Sequence, residues 1–149
     1  MFDLKDLYQE VIVDHNRNPR NFGKLEDANY ILEGFNPLCG DRLTLYLKIK
    51  DGKIENITFD GSGCAISVAS ASLMTEAMKG KTKEEAEAIF SDFHQLITGK
   101  NSEPDIEKLG KLAALAGVRD YPTRVKCATL CWHTLNSALH GEETAVSTE

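Results

Sequence analysis

The sequence predicts an α+β fold from two observations. Apolar residues alternate on either side of an Asp51-Gly52 dipeptide, the mark of an antiparallel hairpin with one buried face. Stretches of helical periodicity lie before and after that hairpin. In chain order, Leu4, Leu7, Tyr8, Val11 and Ile12 recur at helical spacing, so a first helix stops before Asn18-Pro19. Tyr30 to Glu33 is the candidate for an extra strand. Leu43, Leu45, Leu47 and Ile49 alternate with Arg42, Thr44, Tyr46 and Lys48 as the first hairpin strand. The return strand, Lys53 to Asp60, buries Ile57 and Phe59, and Ile54 is out of phase with them, which predicts a bulge.

After Gly61-Ser62-Gly63 the period becomes helical, with Ile66, Ala69, Leu73 and Ala77 on one face and Gly80 as the stop. Thr82-Lys83-Glu84-Glu85 is a capping-box start for a helix carrying Ala86, Ile89, Phe90, Phe93 and Ile97. Residues 99–117, with Pro104 and a short helical run from Leu109 to Leu115, are expected to form a surface excursion. Thr123 is expected to cap a last helix running to about Leu139, with a tail from about Glu142 that frays.

A chain of 149 residues with 42% apolar content forms one domain with a real core. No window approaches the ~18 consecutive apolar residues of a membrane helix. The net charge is −6 and no basic run stands ready to neutralise phosphates, which argues against nucleic acid as a partner. The N-terminus interleaves acidic and apolar residues and lacks a basic start and a cleavage site, so a cytoplasmic setting is expected. In that setting four cysteines serve as thiols, ligands or core residues rather than as disulfides.

Their positions converge. Cys39 lies 12 residues before Asp51 and Cys64 lies 12 after Gly52, so the hairpin brings both sulfurs to the open end of the sheet. Cys127 opens the last helix, where first-turn amides and the helix dipole favour a thiolate. Cys131 follows one turn later. It could complete an all-cysteine zinc site with the other three, or serve as a small hydrophobe beside Ala128, Leu135, Ala138 and Leu139. Asp41, on the same side of an extended chain as Cys39, offers a different fourth donor, giving the set Cys39, Asp41, Cys64 and Cys127. Gly40, Gly61 and Gly63 let backbone approach the sulfurs. Gly61-Ser62-Gly63 is not a dinucleotide loop, because position 66 is Ile66. Arg124, one turn before Cys127, could donate to Cys39 or Asp41. His15, His94, His133 and His140 offer no ligand spacing, and Trp132 is a core or partner-surface residue.

Three cysteine motifs, NPLCGD, GSGC followed by AISVASASLMTEAMKGK, and RVKCATL, together with the LYQEVIVDHNRNPRNFG start, resemble the U-type iron–sulfur cluster assembly proteins. The resemblance implies a compact α/β sandwich, a three-stranded antiparallel sheet with helices on one side. Lys126 stands where the IscU branch of that family has histidine. With the insertion between the second and third cysteines, it points to the SufU branch. By that resemblance Cys39, Asp41, Cys64 and Cys127 hold zinc, and Cys39 accepts persulfide sulfur from a SufS-type cysteine desulfurase, for delivery to a downstream iron–sulfur scaffold or apoprotein. The alternative it carries is an IscU-like scaffold that assembles a transient [2Fe–2S] cluster on the same ligands. Cys131 matches a position that is usually alanine, which favours its core reading.

Overall fold

The computed structural model describes residues 4–37, 39–98, 109–140 and 146–147. Within them the chain runs as α1 (Leu4–Arg17), β1 (Tyr30–Asn36), β2 (Asp41–Lys50), β3 (Lys53–Ser62), α2 (Ala65–Met78), α3 (Lys83–Ile97), a 3-10 helix (Gly110–Asp120), α4 (Pro122–Leu139) and β4 (Val146–Ser147). β1, β2 and β3 form the expected three-stranded antiparallel meander. The two residues of β4 extend it, lying parallel to β1 at Gly34 and Phe35. The opposite edge is covered by residues 21–23, where the Gly23 N–H donates to Phe59 O at 2.8 Å. Among the described residues no helix is long and apolar enough to cross a membrane.

Local chemistry accounts for the hairpin. Asp51 and Gly52 adopt φ of 53° and 76°, the two positive values that a type I′ turn demands. The register slips between Lys48↔Asn56 and Ile49↔Ile54, so Glu55 is the extra residue of the predicted bulge, and the slip returns Ile54 to the core. Strand parity then sets the buried face: Leu32 and Gly34 on β1, Leu43, Leu45 and Leu47 on β2. Carried to the ends of the two strands, the same parity turns Asn36 and Asp41 inward, directly opposite one another.

α2 and α4 lie on this face, and α1, α3 and the 3-10 helix pack onto them. The one-sided face expected of α2 is a correction. Residues 69–75 are all buried, because the sheet, α1 and α4 enclose the helix. Its polar residues are therefore spent on bonds rather than on solvent. Ser70 Oγ donates to Ala128 O at 2.6 Å and accepts from Trp132 Nε1 at 3.0 Å. Ser72 Oγ accepts from the Arg20 N–H and lies 2.7 Å from Nδ1 of the buried His15, whose pKa burial holds below its ordinary value. α3 opens on the predicted capping box, with Thr82 and Glu85 each satisfying the other's backbone N–H.

Two further expectations are revised. α4 starts at Pro122 with Tyr121 as its N-cap, not at a Thr123 cap, because the fixed φ of proline suits the first helical position. Residues 99–108 of the expected excursion lie outside the described residues. From Leu109 onward the chain is packed rather than superficial, with Leu112, Ala113, Ala114 and Leu115 buried against neighbouring helices. Of the tail expected to fray, residues 142–145 and 148–149 lie outside the described residues, and Val146–Ser147 is the short strand β4. Gly34 is required by packing: a Cβ there would run into the Thr134 hydroxyl and Leu130 of α4.

Candidate metal centre

Four elements meet at the open end of the sheet. Cys39 lies between β1 and β2, β2 begins with Asp41, Cys64 is the N-cap of α2, and Cys127 projects from α4. Gly40 takes φ +70°, which lets the chain turn back into β2. Gly63 passes so close to Asp41 that an added Cβ would stand 2.6 Å from its Oδ1. This close approach lets the Cys64 N–H donate to Asp41 Oδ1 at 2.9 Å.

Ligand atoms of Cys39, Asp41 and Cys127 all lie within 4.8 Å of one another. The Cys127 thiol donates to Cys39 Sγ at 3.0 Å. Cys64 is outside that group of three but close enough for its thiol to act on Cys127. Asp41 and Cys127 are fully buried, whereas Cys39 and Cys64 are partly exposed. The expectation that helix amides hold Cys127 as a thiolate fails without a metal. With α4 starting at Pro122, Cys127 is the sixth helical residue, beyond the reach of the first-turn N–H groups. Burial, then hydrogen bonding to Cys39, Asp41 and Cys64, pushes its pKa up strongly.

Arg124 is exposed on the first turn of α4, and the nearby Cys64, then Cys127, raise its pKa. Cys131 stands in the core, 3.5 Å from Ser70 Oγ, with its pKa pushed up to about 12 by burial, and takes no part in the ligand group. Among the described histidines none joins that group either. His133 is half-buried against Phe90 and His94, and His140 is exposed near Glu87. Trp132 is a core residue, stacked on Phe93 with ring centroids 4.2 Å apart.

One residue of the site is not among those the sequence singles out. Asn36 is fully buried, and its Nδ2 donates to Asp41 Oδ2 at 3.1 Å and to Cys127 Sγ at 3.4 Å. In sequence it reads only as a turn former with Pro37. The signal that could have found it is the alternation Leu32, Gly34, Asn36, which points it inward.

The donor set suits zinc. Thiolates and a carboxylate are its accepted ligands, and tetrahedral bonds of about 2.0–2.3 Å require donor atoms roughly 3.3–3.8 Å apart. A buried carboxylate among thiols is also the environment that a cation stabilises.

Residues 7–128 match the NifU-like N-terminal domain. The chain belongs to the NifU-like N-terminal domain family. The matched span holds Cys39, Asp41, Cys64 and Cys127 and ends before Cys131. This NifU-like chain is 44% identical over 141 residues to the zinc-dependent sulfurtransferase SufU of Bacillus subtilis (strain 168), covering 95% of each. It is 42% identical over 136 residues to the iron–sulfur cluster assembly scaffold protein IscU of Streptococcus pyogenes serotype M1, covering 91% of this chain and 84% of that one. Its fold superposes with a TM-score of 0.82 and 40% identity on the crystal structure of a putative iron–sulfur cluster assembly scaffold protein for the SUF system from Fervidobacterium islandicum AW-1, covering 92% of this chain and 99% of that one. A NifU-like protein from Brucella abortus, 23% identical with a TM-score of 0.81, shares the fold.

Proposed function

We propose that this protein is a zinc-dependent sulfurtransferase of iron–sulfur cluster assembly, a sulfur carrier in which Cys39 takes persulfide sulfur from a SufS-type cysteine desulfurase. The observation that carries the reading is the asymmetry of the sulfur group. Cys39 sits on a short loop and reaches solvent, while its neighbours Asp41 and Cys127 are buried and fixed by hydrogen bonds. Cys39, Asp41, Cys64 and Cys127 would hold the metal. Bound there, zinc keeps the thiols deprotonated at neutral pH and prevents them from pairing as disulfides.

The transfer follows from the Cys39 sulfur alone. Its thiolate attacks the outer sulfur of the desulfurase persulfide, a new S–S bond forms on Cys39, and the S–S bond to the desulfurase breaks to leave a thiolate there. The outer sulfur keeps its proton and its oxidation state, so no reductant is needed at this step. Arg124, exposed beside Cys64 and Cys127, supplies positive charge where anionic sulfur gathers. The sulfur then passes to a downstream scaffold or apoprotein. Such chemistry belongs in the cytoplasm, where thiols remain reduced.

The second reading is a scaffold that builds a transient iron–sulfur cluster on the same ligands. It is favoured by relatives named IscU whose identity is close to that of the SufU relative. Lys126, in place of a histidine before Cys127, weighs toward sulfur transfer. A comparison of cysteine turnover by a SufS-type desulfurase, alone and with the zinc-loaded protein, tests the choice. Marked acceleration is expected. No acceleration, together with a stable visible chromophore after anaerobic iron and sulfide reconstitution, would move the function to the scaffold.

A further inference from the structure

We propose that Asn36 is the positioning residue of the centre: one carboxamide nitrogen ties Asp41 to Cys127, so two of the ligands are assembled in advance while Cys39 is left to move. This rests on the metal-centre reading above. Asn36 is completely buried, and its –NH2 group has two hydrogens, one for Asp41 Oδ2 at 3.1 Å and one for Cys127 Sγ at 3.4 Å. The orientation of the amide is dictated by its surroundings. A flipped side chain would set its carbonyl oxygen against a carboxylate oxygen and a sulfur whose own hydrogen is committed to Cys39.

The chemistry explains why asparagine suits the position. Aspartate there would have no hydrogens to give and would place a second negative charge against Asp41. Serine would offer one hydrogen for two acceptors. Asparagine supplies both without adding net charge, and each bond gains strength when its acceptor is anionic. Asp41 then accepts at both oxygens, from Asn36 at Oδ2 and from the Cys64 N–H at Oδ1. The strand register fixes the geometry, because Asn36 and Asp41 are direct partners across β1 and β2. Cys39 meets this network at Cys127, whose thiol donates to its sulfur, and it is partly exposed, so its sulfur can be carried outward.

Cobalt(II) binding to the full-length protein, competed with zinc, tests the assignment without a desulfurase. Asn36→Ala, Asn36→Asp and Asn36→Leu are each expected to lower metal affinity about 10- to 100-fold, the usual effect of removing a group that orients ligands. The cobalt ligand-field bands should move as well. Asn36→Leu separates hydrogen bonding from shape, since it keeps the branched outline of asparagine without donors: affinity within about twofold of the parent, with unmoved bands, would overturn the proposal. A measurement on the unaltered protein covers variants that fail to fold. The Asn36 side-chain amide resonances should shift, and their exchange with solvent should slow, when zinc is added; resonances that ignore zinc would also overturn it. If the parent protein bound no cobalt, the metal centre itself would fall, an outcome distinct from parent and variants binding equally well.

Discussion

Replacing Cys39 by alanine is expected to return desulfurase turnover to the rate of the desulfurase without its partner. No other described thiol can take over the step. Cys127 is buried and held by Asn36, and Cys131 is sealed in the core. Cys64 is partly exposed, yet it caps α2 and lies beside Arg124, held by a helix rather than by a loop able to extend. The loss should come without unfolding. Cys39 belongs to the loop between β1 and β2 and contributes nothing to the hydrophobic cluster, so the melting temperature of the metal-free variant should match that of the parent. Cys131→Ala serves as the control that keeps the acceleration. Turnover retained in Cys39→Ala would remove this residue as the acceptor.

Trp132→Ala is expected to cause the largest loss of stability, about 3–5 kcal/mol, from the cavity left by a buried aromatic side chain. Trp132 is 1% exposed, stacks on Phe93 and donates to Ser70 Oγ at 3.0 Å. Its removal takes away a packing partner of α3 and leaves Ser70 without that donor. Against a total of about 5–15 kcal/mol for a domain, the remaining stability would be small. Urea unfolding of the metal-free protein measures it. Trp132→Phe, which keeps most of the area and loses the hydrogen bond, should be much milder. Equal effects from the two substitutions would show that the indole N–H bond, rather than packing, dominates at this position.

Much of this architecture could be read from local chemistry. The Asp51-Gly52 turn, the bulge beside Ile54, the Thr82 capping box and the meeting of Cys39 with Cys64 each depend on residues close in sequence or on one hairpin register. What escaped depends on tertiary packing. The polar residues Ser70, Ser72 and Thr75 disguise α2 as a helix with one buried face, because nothing in the local pattern announces that α1 and α4 will cover it. The segment after Leu109 looks peripheral because glycines, lysine and charge surround its short apolar run; only neighbouring helices reveal it as core. At the site, the ligand residues were legible as residue types that bind metal. Asn36 was not, since asparagine before proline reads as a turn, and its carboxamide acquires meaning only when α4 brings Cys127 to it. The effect of burial on Cys127 was hidden for the same reason: spacing located the residue near a helix start, while the packed chain set its environment.

The central claim, that this chain carries sulfur on Cys39, is tested most directly by locating the sulfur. The zinc-loaded protein would be incubated with a SufS-type desulfurase and cysteine, its remaining thiols blocked, and its peptides weighed by mass spectrometry under non-reducing conditions. The expected result is a gain of one sulfur atom on the peptide containing Cys39 and none on those containing Cys64, Cys127 or Cys131. Sulfur found first on one of those three residues, or on none of the four, would contradict it.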